Sequence, residues 1–320
     1  MEPIRVSHTM LSTFRQCRLK FYWHYVEGWK PYSKSPGLAV GSAGHLALAA
    51  YYRHKAMNPS PISKTMKGML INTALDELVS EGYEDSKGED LTFVLERYFD
   101  WAERIGDKNV SPILSSTKGP LVELSLEVPL DDDITLVGFV DAVVSRSDET
   151  KWMMEHKFNK QASVSHLGLD PQVSMYMFAL EKMDLEVSGC LYNIIRMTKG
   201  GIAAKEPVLR DYAFRTKWSS QLVYEETCMQ AEELRPLLAM KEYVRKMDLE
   251  TGEKFLSQNA KAYGVYRAPG RDCHWSCQFY NACMAMQFDN SAYYTLDSEF
   301  TKGEQTEDVS GKSEYREVEL

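Results

Sequence analysis

Long apolar runs are missing from this chain: nothing in its 320 residues approaches the roughly 20 consecutive apolar residues that span a bilayer. The opening MEPIRVSHTM lacks the basic-then-apolar layout of a secretory signal, so a cytosolic setting is expected and structural disulfides are not. An excess of positive charge is also absent. Thirty-seven basic against 46 acidic residues give a net charge of −9, which excludes a protein that coats polyanions with a broad basic surface. It leaves open an enzyme that confines its cations to one groove and gathers carboxylates around a metal. There is no GxxxxGK[ST] phosphate loop, since Lys199-Gly200-Gly201 is too short, and no GxSxG nucleophile elbow. No internal repeat is visible.

Cysteine is scarce and unevenly placed. Cys273, Cys277 and Cys283 fall within the eleven residues CHWSCQFYNAC, Cys17 stands alone near the N-terminus, and Cys190 and Cys228 read as ordinary buried thiols. In a chain expected to be cytosolic, such a cluster points to metal before disulfide.

The first third reads as mostly helical. Ser7 is an expected N-cap for a helix over 7–27, a second helix is expected from near Gly41 to the Asn58-Pro59 stop, and 62–80 and 91–105 carry further helical patterns. The texture then changes to alternation, predicting strands over 121–130, 134–145 and 151–158. A helix over 170–183 with Pro171 in its first turn follows, then strands near 189–197 and 206–214, and a long helix over 216–247. The expected class is α/β: a mixed central sheet flanked by helices, with a helical N-terminal lobe and a C-terminal return. The expected divisions are a lobe over 1–110, a core over 111–215, a C-terminal helix with the cysteine cluster over 216–290, and an acidic, flexible tail over 291–320.

The most informative segment is GFVDAVVSRSDETKWMMEHKF, residues 138–158. With a turn near Ser147–Glu149, Asp141 lies almost opposite Glu155, at about 5 Å between Cβ atoms, a spacing that suits two carboxylates sharing a hard cation. Glu155 and Lys157 project from one face of their strand, while His156 points the other way and leaves its carbonyl as a further candidate ligand. The bland alternative is a surface hairpin with scattered charges. Gln172 and Tyr176, four apart on the following helix, share a face from which they could reach a phosphate backbone. His45 sits among small residues in VGSAGHLALAAYY, where it is either a core histidine or a third metal ligand.

Taken in order, G-S-A-G-H, G-F-V-D, E-H-K and Q-V-S-M-Y resemble the PD-(D/E)XK nuclease superfamily, and more closely its RecB-like branch of helicase-nuclease subunits, CRISPR adaptation nucleases and phage exonucleases. The resemblance spans about Ser7 to Cys283. It implies the restriction-endonuclease-like core, metal binding by His45, Asp141, Glu155 and the His156 carbonyl, a catalytic role for Asp141, Glu155 and Lys157, and DNA contacts from Gln172 and Tyr176. The expected cation is Mg²⁺ or Mn²⁺.

Four thiolates suit a [4Fe–4S] cluster, and they also suit structural zinc. Zinc ribbons pair their ligands in two short knuckles, a pattern that one isolated cysteine plus three clustered ones does not follow. The resemblance breaks the tie, because many RecB-like nucleases hold an iron–sulfur cluster with one cysteine before the core and three after it. It implies that Cys17, Cys273, Cys277 and Cys283 are those ligands, although C-x₃-C is one residue longer than the common spacing. Arg5, Arg15, Arg18, Lys20, Lys30 and Lys34, interleaved with Phe21, Tyr22, Trp23, Tyr25 and Trp29, offer a DNA groove or, more simply, a core with solvated cations. The expected function is a metal-dependent DNA exonuclease of phage type, acting on DNA ends in recombination or replication. A single-strand-binding protein or recombinase is an expected partner, and a membrane is not. The rival is a catalytically silent, metal-stapled DNA-binding or scaffold protein.

Overall fold

A computed structural model describes residues 4–83, 86–159, 167–197, 208–214, 217–244, 246–247, 251–252, 255, 258–287 and 292–302. The chain forms two compact units of interleaved segments. One contains residues 34–128 and 137–224, the other residues 1–33, 129–136 and 225–310.

In the larger unit, helix α1 (Pro36–Met57) starts five residues before the expected point, because Pro36 occupies its first turn, where a missing N–H costs nothing. Helices α2 (Lys64–Ser80) and α3 (Ser86–Trp101) follow. Ser63 caps α2 by accepting the Met66 N–H at 3.1 Å. The strands are β1 (Val110–Pro112), β2 (Val122–Pro129), β3 (Ile134–Arg146), β4 (Lys151–Asn159), β5 (Gly189–Arg196) and β6 (Val208–Phe214). Strands β1 and β2 pair with β3, and the sheet continues β3-β4-β5-β6. The β3–β4 and β5–β6 pairs are antiparallel, whereas β4–β5 is parallel. A parallel pair needs a crossover, and helix α4 (Pro171–Lys182) lies between β4 and β5 in the chain. This is the expected mixed sheet flanked by helices.

The alternation of the strands sorts their side chains. Ala142, Val144, Trp152, Met154, Leu191 and Ile195 join one buried cluster with residues of α1, α2 and α3. The alanines of α1 (Ala39, Ala43, Ala47 and Ala50) are almost wholly buried, and their small size lets the helix approach the sheet closely. Gly44 leaves no room for a side chain: a Cβ there would overlap the Phe158 ring. The opposite face of β3 and β4 carries Asp141, Glu155 and Lys157.

In the smaller unit, Ile4–Ser7 is a strand and Ser7 caps the helix His8–Gln16, its Oγ accepting the Met10 N–H at 3.2 Å. The continuous helix expected over 7–27 is broken. Cys17 is extended (φ −163°, ψ 115°), a short helix Arg18–Phe21 resumes, and Tyr22–Val26 forms a π-helical turn. Phe21, Tyr22, Trp23 and Trp29 are buried, so these aromatics are core and do not line a groove. The helix Lys217–Val244, which belongs to this unit from Glu225 onward, contains Pro236. Of the segment expected as an acidic tail, residues 292–299 form a helix and Phe300–Lys302 a strand paired with Trp29–Pro31. The remainder, 303–320, lies outside the described residues, as does the Lys199-Gly200-Gly201 turn.

Candidate active site

The β3–β4 register runs from Ser145↔Lys151 to Ala142↔Met154, so the next residues along the two strands are Asp141 and Glu155. There the side chain of Asp141 enters the ladder: its Oδ2 accepts the backbone N–H of His156 at 2.7 Å. That bond to a buried N–H holds a carboxylate that is itself 3% exposed. Glu155 is 4% exposed, and a buried carboxylate requires strong partners. One is Lys157, whose Nζ donates to Glu155 Oε1 at 2.5 Å and to Gln172 Oε1 at 3.2 Å. Burial works against the Lys157 ammonium, but Glu155, then Asp141 and Asp170, outweigh it and push its pKa up.

Helix α4 is set by its cap. Asp170 accepts the Gln172 N–H on Oδ1 at 2.9 Å and the Tyr192 hydroxyl on Oδ2 at 2.9 Å, which ties the helix start to β5. Gln172 is thereby delivered to Lys157. Tyr176, one turn further on, is buried, with its ring against Gly138 of β3; a Cβ on Gly138 would stand 2.8 Å from Tyr176 Cε1.

From the other side, His45 of α1 brings Nδ1 to 3.5 Å from Asp141 Oδ1. Glu123, at the start of β2, brings a carboxylate to the same place: His45, Glu123 and Asp141 each offer one ligand atom, all within 4.8 Å of one another. Among the described residues this group has the proximity to hold one metal ion. Two carboxylates and one imidazole fit a divalent cation with a taste for oxygen.

Glu123 went unrecognised in the sequence. In LVELSLEVPL strict alternation sends Glu123 outward with Ser125 and Glu127. The backbone breaks that alternation, for Glu123 has φ 51°, in the left-handed region, and it is half-buried while Ser125 and Glu127 are exposed.

Behind the site His156 points to the opposite face, as expected, into a buried polar network. Its ring stacks on Tyr52 at 5.3 Å between centroids, and its Nδ1 lies 3.3 Å from Asn193 Nδ2.

The four cysteines of the expected cluster all fall in the smaller unit and are partly buried. Leu19, two residues after Cys17, donates its N–H to Tyr266 O at 3.1 Å, tying the first segment to the loop before Cys273. The Gly270 N–H donates to Cys273 Sγ at 3.2 Å. Burial raises the thiol pKa of both Cys277 and Cys283, and the nearby thiols of Cys17 and Cys273 push in the same direction. Lys20 at Cys277 and Arg267 at Cys283 pull back. Cys17 and Cys273 thus lie near enough to Cys277 and Cys283 to act on both, although among the described residues the thiols do not form a group close enough to hold one ion.

A mixed sheet flanked by helices, with Asp141, Glu155 and Lys157 on one face of its central strands, is consistent with the metal-dependent nuclease class. The chain belongs to the PD-(D/E)XK nuclease superfamily, whose sequence profile matches residues 5–284. A search of the curated proteins gives no match. Among solved structures the chain is similar to one titled "Crystal structure of SSO0001", at 11% identity over 69% of this chain and 84% of that one. The TM-score of that likeness is 0.27, and it carries no argument. No helix among the described residues is long and apolar enough to cross a membrane.

Proposed function

We propose that this protein is a Mg²⁺- or Mn²⁺-dependent deoxyribonuclease that hydrolyses DNA from its ends. The observation that carries the reading is the convergence of Asp141, Glu155 and Lys157, with Gln172 bonded to the lysine. His45, Asp141, Glu155 and the His156 carbonyl would hold the cation. When bound, such a cation acidifies a coordinated water and offsets charge on the scissile phosphate. Lys157 presents its Nζ protons beside Glu155, where an ammonium orients an attacking water and stabilises negative charge developing on phosphate oxygens. Gln172 holds Lys157 in that position and is proposed to meet the DNA backbone, while Tyr176, expected in the same role, is buried against Gly138 and would serve by seating this end of α4 on β3. The restriction to ends, the phage-type setting in recombination or replication, and a single-strand-binding or recombinase partner follow from the RecB-like motif order.

The same motif order supports a [4Fe–4S] cluster on Cys17, Cys273, Cys277 and Cys283, with zinc as the competing occupant. Such a cluster would staple the first helices to the C-terminal segment. The extended backbone at Cys17 supports this, because it lets one thiol leave the helix surface.

The test is degradation of end-labelled single- and double-stranded DNA by anaerobically purified protein in Mn²⁺ or Mg²⁺. Digestion from an end by wild type, lost in Lys157→Ala and Glu155→Ala, is the expected result. Intact DNA with folded, brown wild-type protein would overturn the reading in favour of a silent binding or scaffold role.

A further inference from the structure

We propose that Glu123 is a direct ligand of the divalent cation, joining His45 and Asp141, although it belongs to none of the motifs that identify the site. The inference deepens the metal-dependent reading above and rests on it.

Size is the first argument. Donors bound about 2.1 Å from one cation stand no more than about 4.2 Å apart, and calcium-like distances of about 2.4 Å allow a little more. The His45, Glu123 and Asp141 atoms already lie within 4.8 Å of one another, so one ion closes the triangle with shifts of a few tenths of an ångström. Conformation is the second. A glutamate at φ 51° pays a cost that glycine at this point in β2 would not, and that backbone carries Glu123 to Asp141 and His45 instead of leaving it outward like Glu127. Charge is the third. Glu123 and Asp141 bring two carboxylates together, while the nearby Lys157 is engaged by Glu155. A cation at the triangle answers the repulsion between Glu123 and Asp141.

The donor set also indicates which cation. Carboxylate oxygens alone suit Mg²⁺, and the imidazole of His45 shifts preference toward Mn²⁺, which binds nitrogen more readily.

The experiment is Mn²⁺ titration of the full-length protein, with free ion followed by electron paramagnetic resonance, beside thermal unfolding with and without Mn²⁺. Glu123→Gln should weaken Mn²⁺ binding at least tenfold, whereas Glu127→Gln on the same strand should leave it unchanged. Without Mn²⁺, Glu123→Gln should unfold no earlier than wild type, because a repulsive carboxylate is gone. Glu123→Gly keeps the test sound if the glutamine variant folds poorly, since glycine accepts the positive φ without strain. Mn²⁺ affinity within twofold of wild type in both variants would overturn the proposal. Asp141→Asn separates the two levels of argument. Loss of Mn²⁺ in Asp141→Asn but not in the Glu123 variants sinks the Glu123 assignment alone. Unchanged affinity in Asp141→Asn sinks the site itself and this inference with it.

Discussion

Arg210 donates from Nε to the side-chain oxygen of Asn193 at 2.6 Å, and this bond sets which way the Asn193 amide faces behind β4. A guanidinium only donates, so Asn193 must turn its oxygen to Arg210 and its amide nitrogen to His156 Nδ1, 3.3 Å away. The imidazole therefore accepts at Nδ1 and carries its hydrogen on Nε2. His156 lies between Glu155 and Lys157, so fixing its ring fixes the strand that presents both.

The anchor of this chain is a buried ion pair. Arg210 contacts Asp107 at 2.7 Å, also donates to the Gly106 carbonyl, and lies over the Trp101 ring at 4.8 Å. Asp107 in turn accepts the Tyr52 hydroxyl at 2.8 Å. Burial works against the Arg210 charge, but Asp107 outweighs it and keeps the guanidinium protonated. Arg210→Met leaves Asp107 buried without its cation, and the expected loss is about 3–5 kcal/mol in urea unfolding. Adding Asp107→Leu should recover much of that loss, because an apolar pair of similar volume replaces two buried charges. A double variant no more stable than Arg210→Met would show that the pair is not the anchor.

Gly44 gives a prediction in which two principles oppose each other in sign. Mid-helix glycine normally costs about 1 kcal/mol relative to alanine, so Gly44→Ala should stabilise α1 on propensity alone. The Phe158 ring occupies the place a methyl would take, and overpacking of this kind costs about 1–3 kcal/mol. We expect the clash to win and Gly44→Ala to be destabilising, with partial recovery on adding Phe158→Val. A stabilised Gly44→Ala would mean that α1 can withdraw from β4 at no cost.

These cases show what was legible in the sequence. Asp141, Glu155 and Lys157 could be placed because period-2 alternation and a short turn fix which side chains share a face. Gln172 could be placed because Asp170-Pro171 marks a helix start. Glu123 could not, because one left-handed residue inverts the alternation from which its direction was inferred. The break at Cys17 was hidden for a similar reason. Leu11, Phe14, Phe21 and Tyr22 keep a helical spacing across it, so a single extended residue leaves no trace in the apolar pattern. The expectation for α1 overlooked Ser35-Pro36 as a helix opening because Gly37 reads as loop. The grouping of residues 1–33 with 225–310 leaves no trace in the apolar periodicity; the expectation that the C-terminal segment closes onto the N-terminus comes only from the cysteine pattern that the resemblance implies.

The cysteines allow a test independent of DNA cleavage. If Cys17, Cys273, Cys277 and Cys283 hold an iron–sulfur cluster, Cys277→Ala should lose iron and solubility together, as measured by metal analysis and visible absorbance. Cys190→Ala should keep the iron, because Cys190 is fully buried in β5. A Cys277→Ala protein with full iron and unchanged stability would remove the staple, and stoichiometric zinc in wild type would change the occupant.

Glu27 predicts a pH dependence in the smaller unit. Its carboxylate is buried, accepting Trp29 Nε1 at 2.9 Å and the Tyr293 hydroxyl at 3.0 Å, so it links the first segment to the helix at 292–299. Burial raises its pKa, and these bonds together with the charge of Lys302 pull back without cancelling the effect. The folded state therefore binds the proton more tightly than the unfolded chain, whose glutamate titrates near about 4.3. Stability falls with pH wherever the folded state holds more protons, so this group's contribution declines from about pH 4.3 up to its raised value. Glu27→Gln keeps an oxygen for Trp29 and an amide for Tyr293 but cannot ionise. Its unfolding free energy should therefore lose that downward slope, and the gap over wild type should widen as the pH rises through the window and then level off. Parallel wild-type and variant curves across that window would show that Glu27 titrates as it does in water.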